Sequence, residues 1–104
     1  MHLLTAISNP IKRIMTEKHD LETRRKRALY RAQHRGTQEM DILIGGYVAA
    51  HLSGLDAAML DRLETLMDHE ETDLQAWLMG QRDIPGDVDR GLIDAIRDHK
   101  LGQV

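Results

Sequence analysis

The chain has 104 residues, which is the size of one small domain and leaves no room for a second, catalytic one. Apolar residues make up 41% of it, charged residues 30% and aromatic residues 3%, a globular composition with an aliphatic core. Without Cys, these residues hold no disulfide, thiolate metal site or thiol nucleophile.

The net charge of −3 conceals an uneven distribution. Residues 1–36 hold nine Lys and Arg against three Asp and Glu, whereas residues 37–104 hold five against fourteen. Such an asymmetry is typical of a nucleic-acid arm, but it equally steers docking onto a protein partner with the complementary pattern. Charge alone does not choose between these functions.

The N-terminal stretch has no clear element. Its apolar start ends at Asn9-Pro10, far short of the roughly 20 apolar residues that span a bilayer. We expect residues 1–18 to form a flexible tail and residues 19–104 a single helical domain. We also expect a cytoplasmic protein that does not bind membranes.

The first two predicted helices flank a glycine. The 3.6-residue period of apolar positions predicts a helix over residues 21–34, and Gly36 supplies a residue that readily turns left-handed past its end. Thr37 is a suitable N-cap for a second helix over residues 38–52. Gly45 and Gly46 lie inside that helix and each costs roughly 1 kcal/mol relative to Ala, which indicates close helix approach or contact with a partner.

Three further helices complete the prediction. Asp56 caps a third helix, which has the cleanest apolar stripe in the chain. Thr72 and Gln75 form a capping box for a short fourth helix that carries Trp77, expected in the core, and ends at Gly80. A fifth helix covers residues 87–99. No segment alternates like a strand, so the sequence predicts an all-α fold, a compact five-helix bundle.

The sequence offers little chemistry of its own. The six His residues are dispersed and form no metal-binding motif, and Gly45-Gly46 lies in a predicted helix rather than a phosphate-binding loop. No nucleophile stands with a base in a recognisable pattern. We therefore predict no metal site and no enzymatic activity.

A basic run covers residues 24–27 and is extended by Arg31 and Arg35. It is compatible with a solvated helix face, with a nucleic-acid-binding module, or with a surface that steers a protein partner. Only Tyr30 interleaves it, and no nucleic-acid recognition motif accompanies it.

The segment Arg35-Gly36-Thr37-Gln38-Glu39-Met40-Asp41 places a cation, a turn and two acids at one helix corner. Arg35 and Glu39 either pair with each other, an exposed interaction worth about 0 to 1 kcal/mol, or present a donor and an acceptor side by side to a partner. Sequence physics leaves both alternatives open.

This corner resembles the Arg-Gly-x-x-Glu motif of the FAD assembly factors of succinate dehydrogenase, called SdhE in bacteria. Arg35, Gly36 and Glu39 match the motif, and Asp41 and an apolar helix follow it. A second landmark is the segment of residues 73–79 (DLQAWLM), preceded by the acidic stretch of residues 68–71. The resemblance covers residues 20–98.

The resemblance implies a five-helix factor that binds the flavoprotein subunit of succinate dehydrogenase, and in some cases of fumarate reductase. The factor promotes covalent attachment of FAD to a His of that subunit and holds no FAD tightly itself. The implied contact residues are Arg35, Gly36 and Glu39, supported by Asp41, with Tyr47 as the aromatic nearest to them in the second helix. Substitutions in the motif are expected to leave the fold intact and to lower covalent flavin in the partner. The alternative function is a small nucleic-acid-binding module that uses the basic first helix.

Overall fold

The computed structural model describes the backbone of residues 10–102 and the side chains of residues 20–102. Over this range the chain forms five α-helices and no strand, with a single 3₁₀ turn at Leu52–Gly54. The helices are α1 (Pro10–Gln33), α2 (Gln38–His51), α3 (Ala57–Met67), α4 (Glu71–Leu78) and α5 (Arg90–Leu101). The predicted all-α five-helix bundle is confirmed.

Helix α1 begins at Pro10, about three turns before the predicted start at Leu21. Proline suits the first position of a helix because its fixed φ is helical and its missing N–H would have no partner there. The first turns of α1 thus occupy residues 10–18 of the expected tail. The rest of that segment, residues 1–9, lies outside the described part of the chain.

Side-chain caps and a glycine turn set the boundaries of α2 and α3. The Thr37 hydroxyl accepts a hydrogen bond from the backbone N–H of Met40 at 3.3 Å, which confirms Thr37 as the N-cap of α2. Asp56 caps α3 in the same way, with its carboxylate 2.8 Å from the N–H of Met59. Gly36 has φ +111°, as its predicted role in the turn requires.

Two further predicted helix starts, those of α4 and α5, are also wrong. Helix α4 begins at Glu71, so Thr72 lies inside the helix instead of capping it, and Glu70 at the N-cap makes no side-chain hydrogen bond. Helix α5 begins three residues later than predicted, because Asp89 is its N-cap and accepts the N–H of Leu92 at 3.0 Å. The residues from 85 to 88 form a turn instead.

The core lies between α2, α3 and the two C-terminal helices, and α1 covers α2 and α3. Its side chains are almost entirely aliphatic, and Trp77 is buried among them as predicted. The largest fully buried side chains are Met40, Ile44, Val48, Leu60, Leu63, Leu66, Leu74, Leu92, Ile93 and Ile96. Burying such side chains supplies the main free energy of folding.

Gly45 explains how closely α1 and α2 pack. A Cβ at this position would lie 3.0 Å from Gln33 Cγ and 3.3 Å from the Ala32 carbonyl oxygen. The predicted close approach is therefore confirmed for Gly45. A Cβ at Gly46 would meet no atom within 4 Å.

Arg62 of α3 and Asp89, the N-cap of α5, form a bidentate ion pair, with N–O distances of 2.7 and 2.9 Å. The hydrogen bonds from Arg62 lower the pKa of Asp89 below its ordinary value of 3.8, and the N–H of Leu92 lowers it further. The ion pair therefore stabilises the folded state while Asp89 is ionised.

We expect the stability contributed by Asp89 to disappear in acid. Because the folded-state pKa is depressed, the contribution is complete well above 3.8 and is lost as the pH falls through the folded-state value. Asp89→Asn keeps a capping oxygen and removes the charge. Urea unfolding at neutral pH should show the variant less stable by under about 1 kcal/mol, since the pair is partly exposed. The difference should shrink progressively as the pH falls below 3.8, and a difference that stays constant into acid would contradict this account.

Candidate functional site

The corner between α1 and α2 is stabilised by hydrogen bonds among residues 35–41. The Asp41 carboxylate accepts the backbone N–H of Arg35 at 2.6 Å, and the backbone N–H of Asp41 donates to the Thr37 carbonyl at 3.0 Å. Asp41 thus connects the end of one helix to the start of the next across Gly36. This contact gives the predicted supporting acid a physical role.

The Arg35 side chain points into the molecule and is only 10% exposed. Its Nη2 and Nε lie 2.9 and 3.1 Å from Glu71 Oε1, and its Nη1 donates to the Met67 carbonyl at 3.0 Å. The guanidinium therefore ties the corner to the end of α3 and the start of α4. The predicted alternative of a pair between Arg35 and Glu39 is wrong, because Arg35 pairs with Glu71. The alternative that this corner faces a partner stays a prediction.

Glu39 and Gly36 form the outer surface of the same corner. Both residues are exposed, and Glu39 has no hydrogen bond or ion pair with any side chain that the structure describes. A Cβ at Gly36 would meet nothing within 4 Å, so the backbone is open to solvent there. The candidate site therefore consists of the unpaired Glu39 carboxylate and the open backbone of Gly36, and Arg35 supports it from the interior.

The expectation that every substitution in the motif leaves the fold intact changes for Arg35. Removing the Arg35 side chain would leave Glu71 unpaired, and Glu71 Oε2 is already buried without a hydrogen-bond partner. Leaving a partly buried charge without its partner is destabilising. A substitution at Arg35 therefore perturbs the fold as well as any partner contact.

Tyr47 lies apart from this outer surface. Its side chain is 7% exposed and belongs to the hydrophobic core, with its ring centroid 4.3 Å from that of His51 and 5.9 Å from that of His99. The ring is covered by the protein itself. We therefore leave Tyr47 out of the proposed contact surface.

Sequence reasoning missed an aromatic pair beside the corner. Tyr30 is 64% exposed and its ring stacks on His34 with centroids 4.0 Å apart. Both line an open groove of about 420 Å³, together with Arg35 and Glu71. Their i, i+4 spacing on a helix next to the motif is the signal that could have found them.

Several arginines of the basic run bond with other parts of the chain at its surface. Arg24 bonds Asp61 at 2.8 Å and Glu64 at 2.9 Å, and these carboxylates raise its pKa further. Arg25 donates a hydrogen bond to the Leu55 carbonyl at 2.7 Å, and Arg31 forms an ion pair with Asp68 at 2.9 Å. Lys26 and Arg27 of the same run are exposed and make no hydrogen bond or ion pair with a described residue, so the structure alone does not choose among the three interpretations.

The described part of the chain shows neither a metal centre nor a membrane span. Among the side chains of residues 20–102, no three His, Asp or Glu are grouped so that they could hold a metal ion. Over residues 10–102, no helix is both long and apolar enough to cross a bilayer.

Comparison with known proteins gives consistent matches. The protein family described as "Flavinator of succinate dehydrogenase" matches residues 26–100. The FAD assembly factor SdhE of Acetobacter pasteurianus is 41% identical over 66 residues, which are 64% of this chain and 61% of that protein. The mitochondrial succinate dehydrogenase assembly factor 2 of Candida glabrata is 31% identical over 70 residues, covering 67% of this chain and 44% of the relative.

A more distant relative extends the match along this chain. The corresponding assembly factor 2 of Dictyostelium discoideum is 23% identical over 87 residues, or 84% of this chain and 62% of that protein. The chain thus spans less than two thirds of the length of these relatives. No solved structure gives a significant match. Since the family match covers most of the chain, including the corner and the acidic α3–α4 turn that anchors it, the chain belongs to the flavinator family of succinate dehydrogenase.

Proposed function

We propose that this chain is a FAD assembly factor. It binds the flavoprotein subunit of succinate dehydrogenase, or the homologous subunit of fumarate reductase, and promotes covalent attachment of FAD to a His of that subunit. The observation that carries the proposal is the family match over residues 26–100. The 41% identity with a protein named FAD assembly factor SdhE supports it.

In this proposal the chain acts by binding, in the cytoplasm, and the chemistry belongs to the flavin and its protein. The rigid corner presents Glu39 as a hydrogen-bond acceptor beside the open backbone of Gly36. Arg35 does not reach outward but fixes the corner through Glu71 and the Met67 carbonyl. A surface organised before binding loses less conformational entropy when the partner docks.

The factor is proposed to act without tightly bound FAD of its own. Cofactor sites are concave and enclose most of the ligand. The interior described here is filled by aliphatic side chains of the five helices, and no polar or charged residue is buried within it. The factor therefore acts on flavin held by its partner.

The alternative of a nucleic-acid-binding module receives no support. No match reported above concerns a nucleic-acid-binding protein. Arg24 and Arg31, which would neutralise phosphates, are paired with carboxylates. We therefore propose no nucleic-acid partner.

Replacing Glu39 with Ala is expected to lower the covalent flavin content of the partner subunit at limiting factor. Glu39 is exposed and unpaired among the described residues, so the free energy of unfolding should change by no more than about 0.5 kcal/mol. A central contact residue typically costs about tenfold or more in affinity when truncated. The measurement is flavin fluorescence of the subunit after a denaturing gel.

The matched control for this experiment is Glu22→Ala. Glu22 is also an exposed glutamate without a described partner, but it lies on α1 more than two turns before the corner. It should support flavin attachment like the wild type. Equal fluorescence with wild type, with Glu39→Ala and without any factor would defeat the proposed function.

A further inference from the structure

Glu39 also forms the rim of an apolar groove that lies between α2, α4 and α5. The groove has a volume of about 280 Å³, and its apolar walls are Leu43, Leu78, Met79 and Leu101. Met79 is 38% exposed and Leu101 69% exposed. Contiguous apolar surface of this kind, edged by polar groups, is typical of a binding groove.

Two cations stand at the same groove. Arg97 and Lys100 both line it, both are exposed, and neither makes a hydrogen bond or ion pair with a side chain in the described range. They differ in this from Arg24 and Arg31, whose charges are paired with acids of the chain itself. The groove therefore carries positive charge that the fold does not use.

The backbone of α4 makes room for one of these cations. Gly80 follows α4 with φ +71°, and a Cβ there would lie 3.3 Å from Arg97 Nη2. The guanidinium thus sits against the bare Gly80 backbone at the edge of the groove. A larger residue at position 80 would crowd Arg97 at this edge of the groove.

We propose that this groove receives a segment of the flavoprotein partner in which an apolar side chain stands next to a carboxylate. The inference rests on the proposed function, because Glu39 belongs to both the corner and the groove. The apolar walls would take the apolar side chain, and Arg97 and Lys100 would pair with the acid. The contact surface of the factor then extends from Gly36 and Glu39 along α2 to the C-terminal half of α5.

The test measures binding of the full chain to the purified apo flavoprotein subunit. Arg97→Glu reverses one groove charge, and Leu101→Asp places a charge on an apolar wall. Each is expected to weaken binding by about tenfold or more and to lower covalent flavin at limiting factor. The loss caused by Arg97→Glu should shrink at high salt, because exposed charges are then screened.

The matched control is Arg90→Glu, which makes the same change on the same helix. Arg90 is exposed at the start of α5, about two turns from Arg97, and does not line the groove. It should bind within about twofold of the wild type. The thermal midpoints of all three variants should stay close to that of the wild type, since none of these side chains is buried.

The outcomes separate this inference from the function on which it rests. If wild type, Arg97→Glu and Leu101→Asp all bind and promote flavin attachment equally, the groove inference is wrong and the proposed function stands. If wild type itself neither binds nor raises covalent flavin, the proposed function is wrong and the groove inference falls with it. A wild-type dimer that Leu101→Asp converts to a monomer, with binding unchanged, would identify the occupant as a second copy and overturn the inference.

Discussion

Arg35→Ala is expected to lower the free energy of unfolding by about 2 to 3 kcal/mol and also to abolish flavin attachment at limiting factor. The stability loss follows from the ion pair with Glu71 and the hydrogen bond to the Met67 carbonyl, both made by a guanidinium that is nearly buried. Small domains are stable by only about 5 to 10 kcal/mol, so this is a large fraction. Urea unfolding measures the first effect and gel fluorescence the second.

A double-mutant cycle with Glu71 separates the anchoring role of Arg35 from any direct contact with the partner. Glu71→Gln should lose part of the same free energy, and the double variant should lose less than the sum of the two. Arg35→Lys keeps the charge but not the fork of two hydrogen bonds and one further ion-pair contact, so its stability should be intermediate. Additive losses, or an Arg35→Ala variant as stable as wild type, would contradict the anchoring role.

Leu63→Ala is expected to cost about 2 to 5 kcal/mol, since it deletes three heavy atoms from a fully buried side chain on α3. The loss combines the transfer free energy of the removed methine and methyl groups with a cavity that the neighbouring helices only partly fill. Leu101→Ala is the control, because the exposed Leu101 side chain should change stability by no more than about 0.5 kcal/mol. The measurement is the midpoint and slope of urea unfolding. A midpoint that hardly moves for Leu63→Ala would show that α3 is not central.

The features that the sequence predicted correctly are governed by neighbouring residues. Thr37 and Asp56 cap helices because their side-chain oxygens reach an N–H three residues later. Gly36 turns the chain because a residue without Cβ adopts positive φ without strain. The apolar stripe of α3 needs only helical periodicity to face the core.

The features that escaped prediction depend on residues far apart in the chain. The partner of Arg35 is 36 residues away, and nothing in the corner itself distinguishes Glu71 from Glu39 as that partner. Thr72 satisfies a local capping rule, yet tertiary packing starts α4 one residue before it, at Glu71. Tyr47 has the residue type of a contact aromatic, and only the placement of α2 in the core shows that its ring is covered.

The long-range ion pairs also determine when these contacts can form during synthesis of the chain. The ribosome delivers α1 and the corner before α3 and α4, and the acids that bind Arg24, Arg31 and Arg35 follow 36 to 40 residues after them. At roughly 5 to 20 residues per second, these arginines wait about 2 to 8 seconds for their acids to be synthesised. Glu71 is the last of these acids to emerge, so the motif corner is secured only when translation has passed the start of α4.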